Sequence, residues 1–561
     1  SNEKAVNKHS KNPLVHLHLA LEQRLHNGQQ HLQNTIGKLQ RHIVIAPLIG
    51  VVIVTAAGFA LQDLGRDFFP KTDAGLMRLY IRAEPGTRIE QTADKFAQIQ
   101  QEIRKIIPEQ ELDFVFDNIG MPDSINRAWI DSFAIGSYDG ELQIQLAKGH
   151  QPTSQYESAI RQMLKEKFPE VTLFAQAADT TNQTLSGSTP TALDVRFTGR
   201  NLQASIAKAE TLIEKMQNVE GAVDIGFQQV FALPEYYVHL DRKRAAELGV
   251  TTQDTMNSLL GALGSAGTVS PSFWSDPVFG FSYEVQTRMP LHKLRTTDDL
   301  MNLQIQTYDP QVTVPLASIA SITPRNVAGS IGRTMLKPTV NVLINTENTD
   351  LGSVYKATQQ IVNELKQDVV PGNDIEIMGQ AAAMDEAYRD LLFGFLLAVF
   401  FIYIIMLFNF ASWIMPLVAL SGAPIAISGA IIGLMLTGTT ISVPALMGFI
   451  MVIGVSTANS VLVTTFARDQ WVAGKSAFEA AREAASTRLR PVLMTALTMI
   501  IGLLPMALAL GEGGEQNAPL ARTVIGGLML GTFASLFLVP WTFSMIMQFI
   551  KRPQPIKLPT I

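Results

Sequence analysis

The sequence predicts an α-helical membrane bundle of six spans joined to a large α+β domain outside the membrane. That domain is built from split β-α-β units with a smaller subdomain inserted. Three observations predict this. The 561-residue chain is 47% hydrophobic and only 17% charged, oilier than most soluble proteins of its length. Six uncharged apolar runs are long enough to cross a bilayer: 43–61, 391–408, 414–436, 441–466, 491–510 and 524–550. Between the first and second runs lie more than 300 residues whose apolar positions alternate between strand and helix spacing.

From the N-terminus, residues 1–42 hold Leu14, Leu17, Leu21, Leu25, Leu32, Ile36 and Leu39 at helical spacing, with Gln, His and Arg between them. This reads as an amphipathic linker helix lying on the cytoplasmic membrane surface. Six of the nine His residues fall in this region; His16 and His18, two apart, do not share a helix face and read as a solvated polar face rather than a metal site. The first span, 43–62, has a long segment before it and no small-residue cleavage site after it, so it is expected to stay in the mature protein. Basic residues set the orientation. Arg24, Lys38 and Arg41 precede the first span, Arg468, Lys475, Arg482, Arg488 and Arg490 separate the fourth from the fifth, and Lys551 and Arg552 open the tail, 551–561. These regions face the cytoplasm, which puts residues 63–385 on the other side. The absence of Cys removes disulfides from that segment, and its size lets it fold without them. A net charge of −5 gives no sign of nucleic acid as a partner.

Residues 63–185 read as one split β-α-β unit: strand 77–83, helix 89–106, strand 112–116, then strand 142–146, helix 154–168 and strand 171–175. A second unit is divided between 186–230 and 329–385, with strands at 192–197, 222–227, 333–344 and 374–378 and helices at 202–216 and 354–365. Residues 231–328, opening with the alternating YYVHLDR, are inserted between its parts and suit a docking subdomain on an arm. Spans two to six occupy 386–550.

The chemistry concentrates in the fourth span, IGVSTANSVLVTTFARD at 453–469. Ser456, Asn459, Ser460 and Thr464 stand at i, i+3, i+4 and i+8, one polar stripe on a helix. Such a stripe either knits helix to helix, at about 0.6–2 kcal/mol per contact, or lines a proton or ion path whose charged members lie elsewhere. In the fifth span Arg488 and Thr495 are seven apart on one face, with Pro491 read as lying in the first turn. Arg488, like Arg490, also suits an interfacial anchor reaching for headgroups. Enzyme motifs are absent: AGKS at 473–476 has Asp469 where a phosphate loop needs Gly, and there is no G-x-S-x-G, H-E-x-x-H or GxGxxG. Any work must draw on an ion gradient or a partner.

One span, a long α/β segment and five closely spaced spans resemble the C-terminal half of a resistance-nodulation-division transporter. The most specific pieces are RLRPVLMTALTMIIGLLPMAL at 488–508, GGEQNAP at 513–519, the fourth-span segment above, and LGRDFFPKTDAGLMRLYIRAEPGT at 64–87. They are similar to the branch that exports hydrophobic and amphiphilic compounds. The resemblance implies two porter subdomains with the docking subdomain inserted in the second. It implies a proton relay through Arg488 and Thr495, with Asn459, Ser456 and Ser460 nearby, answering a carboxylate pair on an N-terminal six-span half. The family usually has Lys before the fourth-span Asn; here that position is Ala458, which puts the proton stoichiometry in question. The resemblance further implies a substrate-gating loop at 117–141, with Met121, Trp129 and Phe133 touching apolar cargo. No cofactor beyond the proton gradient is implied. Expected partners are a periplasmic adaptor and an outer-membrane channel, around a homotrimer or heterotrimer in the bacterial inner membrane. Two alternatives stand beside this: a heavy-metal efflux subunit, and a non-transporting membrane scaffold or export accessory protein.

Overall fold

The computed structural model of the chain describes residues 45–121, 134–176, 191–264, 272–285, 289–309, 311–511 and 513–550, with isolated positions 30, 34, 35 and 37. Most of the N-terminal amphipathic stretch with His16 and His18, the tail 551–561, and the gating-loop residues Trp129 and Phe133 lie outside the described residues.

The first α/β unit has the strands Leu76–Arg82, Leu112–Ile119, Asp139–Leu146 and Thr172–Gln176 in one sheet. Its antiparallel spatial order is second, third, first, fourth, the split β-α-β arrangement read from the sequence. Helices Ile89–Ile106 and Thr153–Lys167 pack through Phe96, Ile99, Ile103, Tyr156 and Ile160 onto Met77, Leu79 and Ile81, the alternate residues of the first strand. The opposite face of that strand is polar at Arg82, whose Nε lies 2.8 Å from Asp139 Oδ1 in a buried ion pair.

The second unit repeats the order with Leu193–Thr198, Ala222–Phe227, Lys337–Thr346 and Asp374–Met378, and carries helices Leu202–Met216 and Leu351–Lys366. One element differs from expectation. The strand read as continuous over 333–344 is a hairpin, Gly332–Thr334 folding back on Lys337–Thr346. Its two turn residues are Met335 (φ 48°) and Leu336 (φ 66°), both left-handed without being glycine. Neither residue is a turn former, so propensity gave no warning of the break.

The two units meet at Arg161 of the first. Its guanidinium reaches Asp224 at 2.7 and 3.1 Å, and also Glu347, both in the second. Asp224 accepts from the Ala175 N–H at 3.1 Å, and Asn345 donates to the Ala175 carbonyl at 2.6 Å, so the exposed edge of one sheet is satisfied by side chains of the other. Burial pushes the nearby Glu157 carboxyl above its usual range, against the pull of Lys71 and Arg161.

Residues 233–327 leave the second unit on an antiparallel ribbon, Leu233–Leu240 against Ala320–Val327. Beyond it a small core forms around Ala245, Val250, Leu259, Ile305, Leu316 and Ile319.

Among the described residues, five helices are long and apolar enough to cross a membrane: Gln380–Phe410, Ile414–Leu436 (broken at Ser421 and Gly422), Val443–Val472, Ala477–Ala507 and Ala518–Met547. The first of the six predicted runs is the shorter apolar helix Ile45–Asp63, with Leu48, Val51, Val52 and Phe59 exposed. Taken together in sequence order, the six helices are labelled first to sixth span. The third and sixth pack most closely, because glycines face each other: a Cβ on Gly429 would lie 2.5 Å from the Gly526 carbonyl oxygen. The fifth differs from its predicted start. It opens at Ala477, so Pro491 lies well inside the helix rather than in its first turn. A capping box starts it: Ser476 Oγ accepts from Glu479 N at 3.2 Å and Glu479 accepts from Ser476 N at 3.2 Å. Ser476→Ala should therefore cost about 1 kcal/mol of stability, checked by thermal unfolding, whereas Ser476→Asp should keep the wild-type value.

Candidate functional site in the membrane bundle

The fourth span carries its polar stripe where the sequence puts it, and the structure decides what the stripe touches. Ser456, Asn459, Ser460 and Thr464 are all buried, at 2%, 4%, 1% and 0% exposure. Ser460 Oγ lies 2.9 Å from Ser535 Oγ of the sixth span. Ser456 Oγ faces Gly531, where an added Cβ would stand 3.1 Å from it. Gly527, Gly531 and Ser535, four apart on the sixth span, supply the small surface that lets the hydroxyls in. This spacing was readable in the sequence, and it marks Ser535 and Gly531 as the neighbours the sequence reading missed. Beside them Ala534–Leu538 forms a turn of π-helix, and Ser535 Oγ donates 2.9 Å to the Gly531 carbonyl. Thr464 Oγ1 returns its proton to the Ser460 carbonyl at 2.8 Å. Ser456 Oγ, Thr457 Oγ1 and Thr532 Oγ1 are buried without a hydrogen-bond partner.

Arg488 and Thr495 are not brought to this seam. Arg488 is half-buried, its guanidinium carbon 5.3 Å from the centre of the Phe466 ring and its Nε without a hydrogen bond. Such a cation over an aromatic face contributes about 0.5–2 kcal/mol. Thr495 is exposed and donates to the Pro491 carbonyl at 3.0 Å. Only 17% of the fifth span's apolar window is buried, against 61%, 50% and 61% for the third, fourth and sixth. On the fourth span the exposed side includes Gly454, Ala458 and Leu462, so Ala458 and Thr495 both lie on surface that this chain leaves open. The polar residues thus fall into two sets: Ser456 and Ser460 turned to the sixth span, Arg488 and Thr495 apart from them.

At the far end of the sixth span, Arg522 donates to the Ala507 carbonyl at 2.9 Å and to Thr439 Oγ1 at 2.6 Å. It places a positive charge against the C-terminal carbonyls of the fifth helix, where the helix dipole favours one. In the first α/β unit, Met121 follows the strand Leu112–Ile119 and is 51% exposed. Among the described residues, no group of three or more His, Asp or Glu stands together in a way that could hold a metal ion.

Comparison with known proteins fits this architecture. Residues 4–547 match the family described as AcrB/AcrD/AcrF. The cation efflux system protein CzcA of Alcaligenes sp. (strain CT14) is 26% identical over 508 residues, covering 89% of this chain and 46% of that protein. The nickel-cobalt-cadmium resistance protein NccA of Alcaligenes xylosoxydans xylosoxydans is 26% identical over 517 residues, 90% of this chain and 47% of its own length. The crystal structure of a heavy metal efflux pump superposes with a TM-score of 0.77 at 24% identity, covering 93% of this chain and 52% of that one. The chain spans about half the length of the curated relatives it matches. These names overturn one expectation. Hydrophobic or amphiphilic cargo, and with it multidrug export, was implied by the likeness of residues 64–87, 453–469, 488–508 and 513–519 to that branch, with the loop 117–141 as its gate, but the relatives named here are cation and metal efflux proteins. A Met and two aromatics on a loop do not distinguish cargo from packing, and two of the three lie outside the described residues. With a match running from residue 4 to 547, the chain belongs to the AcrB/AcrD/AcrF family, resistance-nodulation-division transporters rather than enzymes.

Proposed function

We propose that this chain is the C-terminal half of a resistance-nodulation-division exporter of divalent transition-metal cations. The observation that carries the reading is the alignment of 89–90% of the chain with relatives named for cation, nickel, cobalt and cadmium efflux. The two split β-α-β units serve as porter subdomains, the insert on its ribbon as the docking subdomain, and the spans sit in a bacterial inner membrane. An N-terminal six-span half covers the open side of the fourth and fifth spans. The assembly is a trimer with a periplasmic adaptor and an outer-membrane channel.

The open surface suits this arrangement because Thr495 and Ala458 are uncovered there, and Arg488 needs an acceptor for its Nε–H. A carboxylate from the other half would supply that acceptor, making Arg488 and Thr495 this chain's part of a proton relay. The seam of Ser456 and Ser460 belongs to the packing of the fourth span on the sixth, with Asn459 buried beside it as a further member of the relay. The metal is cargo, met by donors contributed outside the described residues or by the other half. Cells lacking the full-length protein should accumulate zinc, cobalt, nickel or cadmium several-fold above wild type by elemental mass spectrometry. Arg488→Ala at wild-type protein level should reproduce that phenotype. Equal content of all four metals in deletion and wild-type cells under metal load would refute the assignment.

A further inference from the structure

Two residues beyond the first span, the chain enters a junction that no transport role yet uses. Residues 65–68 run parallel to the entry of the fourth span as a short strap: Ile441 N donates to the Gly65 carbonyl at 2.9 Å, Asp67 N to the Ile441 carbonyl at 2.8 Å, and Val443 N to the Phe68 carbonyl at 3.1 Å. The fourth span has no side-chain cap of its own; Ser442 stands at its N-terminus with Oγ buried and unpartnered. The strap therefore does for this helix what a capping side chain does elsewhere.

The same strap holds the second α/β unit. Asp67 Oδ1 accepts from Leu351 N at 3.0 Å, the Arg66 carbonyl accepts from Gly352 N at 2.8 Å, and Arg66 N donates to Asp350 at 2.9 Å. Leu351 and Gly352 open the helix Leu351–Lys366, so its first N–H groups are satisfied by the strap and by its own cap, Asp350. Tyr388 of the second span completes the junction. Its hydroxyl lies 2.5 Å from the Ile441 carbonyl and 3.1 Å from that of Asp67. Packing leaves no slack, since a Cβ on Gly65 would stand 2.7 Å from Asp350, and one on Gly352 2.7 Å from Arg66.

We propose that Asp67 is a positioning residue whose carboxyl clamps the entry of the fourth span to the helix Leu351–Lys366. Movement of the fourth span is then delivered to the second α/β unit at its helix N-terminus. Desolvation raises the Asp67 carboxyl above its ordinary value, and Asp350 adds to this; Leu351 N–H, the Thr440 hydroxyl and Lys71 oppose it. Arg66 and Tyr388 are the other ionisable groups around the junction. A raised carboxyl means that the folded junction prefers the neutral form. Its contribution is fully present below the unfolded value of 3.8 and is lost as pH rises through the folded one.

The clamp uses the transporter reading only for the motion it transmits, so the test reads structure rather than export. Hydrogen–deuterium exchange of the full-length protein in nanodiscs follows segments 349–358 and 439–446. Asp67→Asn keeps an acceptor for Leu351 N–H, so both segments should stay at wild-type protection. Asp67→Ala should speed exchange of both by about tenfold, the loss of roughly one buried hydrogen bond, and leave segment 205–214 unchanged. The proposal is overturned if Asp67→Ala releases one segment without the other, or leaves both at wild-type protection. Metal content of the deletion strain separates the ideas: equal metal levels in deletion and wild-type cells, with the predicted exchange in the Asp67 variants, would remove the cargo assignment and leave the clamp.

Discussion

Gly526→Ala should destabilise the full-length protein in detergent by about 1–3 kcal/mol, the cost of forcing a methyl group into a closed helix contact. A Cβ there would meet the Gly429 carbonyl oxygen at 2.5 Å and the Gly433 Cα at 2.9 Å. Both are backbone atoms, so no side chain can swing aside and the helices must separate. Separation is costly in lipid, where apolar surface gains nothing by leaving its surroundings and close backbone approach supplies the attraction. Gly429→Ala should behave alike, its Cβ lying 2.5 Å from the Gly526 carbonyl. Gly394→Ala is the control, since nothing lies within 4 Å of a Cβ at that position. Thermal unfolding followed by tryptophan fluorescence checks all three. Unfolding of Gly526→Ala at the Gly394→Ala temperature would show that the third and sixth spans are looser than described.

The second large effect belongs to Arg161. Replacing it with Met leaves Asp224, whose side chain is 2% exposed, without a counter-charge, while Glu347, at 23% exposure, loses its cation and keeps the Ser158 hydroxyl. Stranding a buried carboxylate costs about 3–5 kcal/mol. Arg161→Lys keeps the charge but not the two-pronged contact with Asp224, so it should recover part of the loss. The predicted signature is separation of the two α/β units before either melts, visible as proteolysis that begins at lower temperature in Arg161→Met and not in Arg161→Lys. Identical digestion and unfolding of Arg161→Met and wild type would mean that the ion pair does not hold the units together.

Much of the α/β architecture is legible because its apolar residues keep strict periods. The helices Ile89–Ile106 and Leu202–Met216 and the strands Ala222–Phe227 and Asp374–Met378 have the same limits in sequence and structure. The fifth span was misjudged at its start because an apolar window cannot see a polar helical turn, although Ser476 and Glu479 at i and i+3 were there to be read. For the bundle site, helical arithmetic found the buried stripe but not its neighbour: one helix face specifies no partner until the small residues Gly531 and Ser535 are matched to it. Asp67 escaped notice because its partners, Leu351, Tyr388 and Ile441, are hundreds of positions away and contribute mostly backbone groups. Cargo was illegible for want of a marked ligand set, with no Cys anywhere and no described cluster of three His, Asp or Glu.

The fifth helix runs unbroken for 31 residues, about 46 Å at 1.5 Å per residue, while the oily slab it crosses is only about 30 Å thick. Roughly a third of the rod overhangs into headgroups or water, so its height is not pinned by matching of lengths. Sliding it an ångström along its axis costs a fraction of a kcal/mol. Its height is held instead by its first half, where Ala480, Ala481, Ala484 and Ala485 pack into one core with Trp471 and Phe543, and Arg488 stands just beyond that anchor.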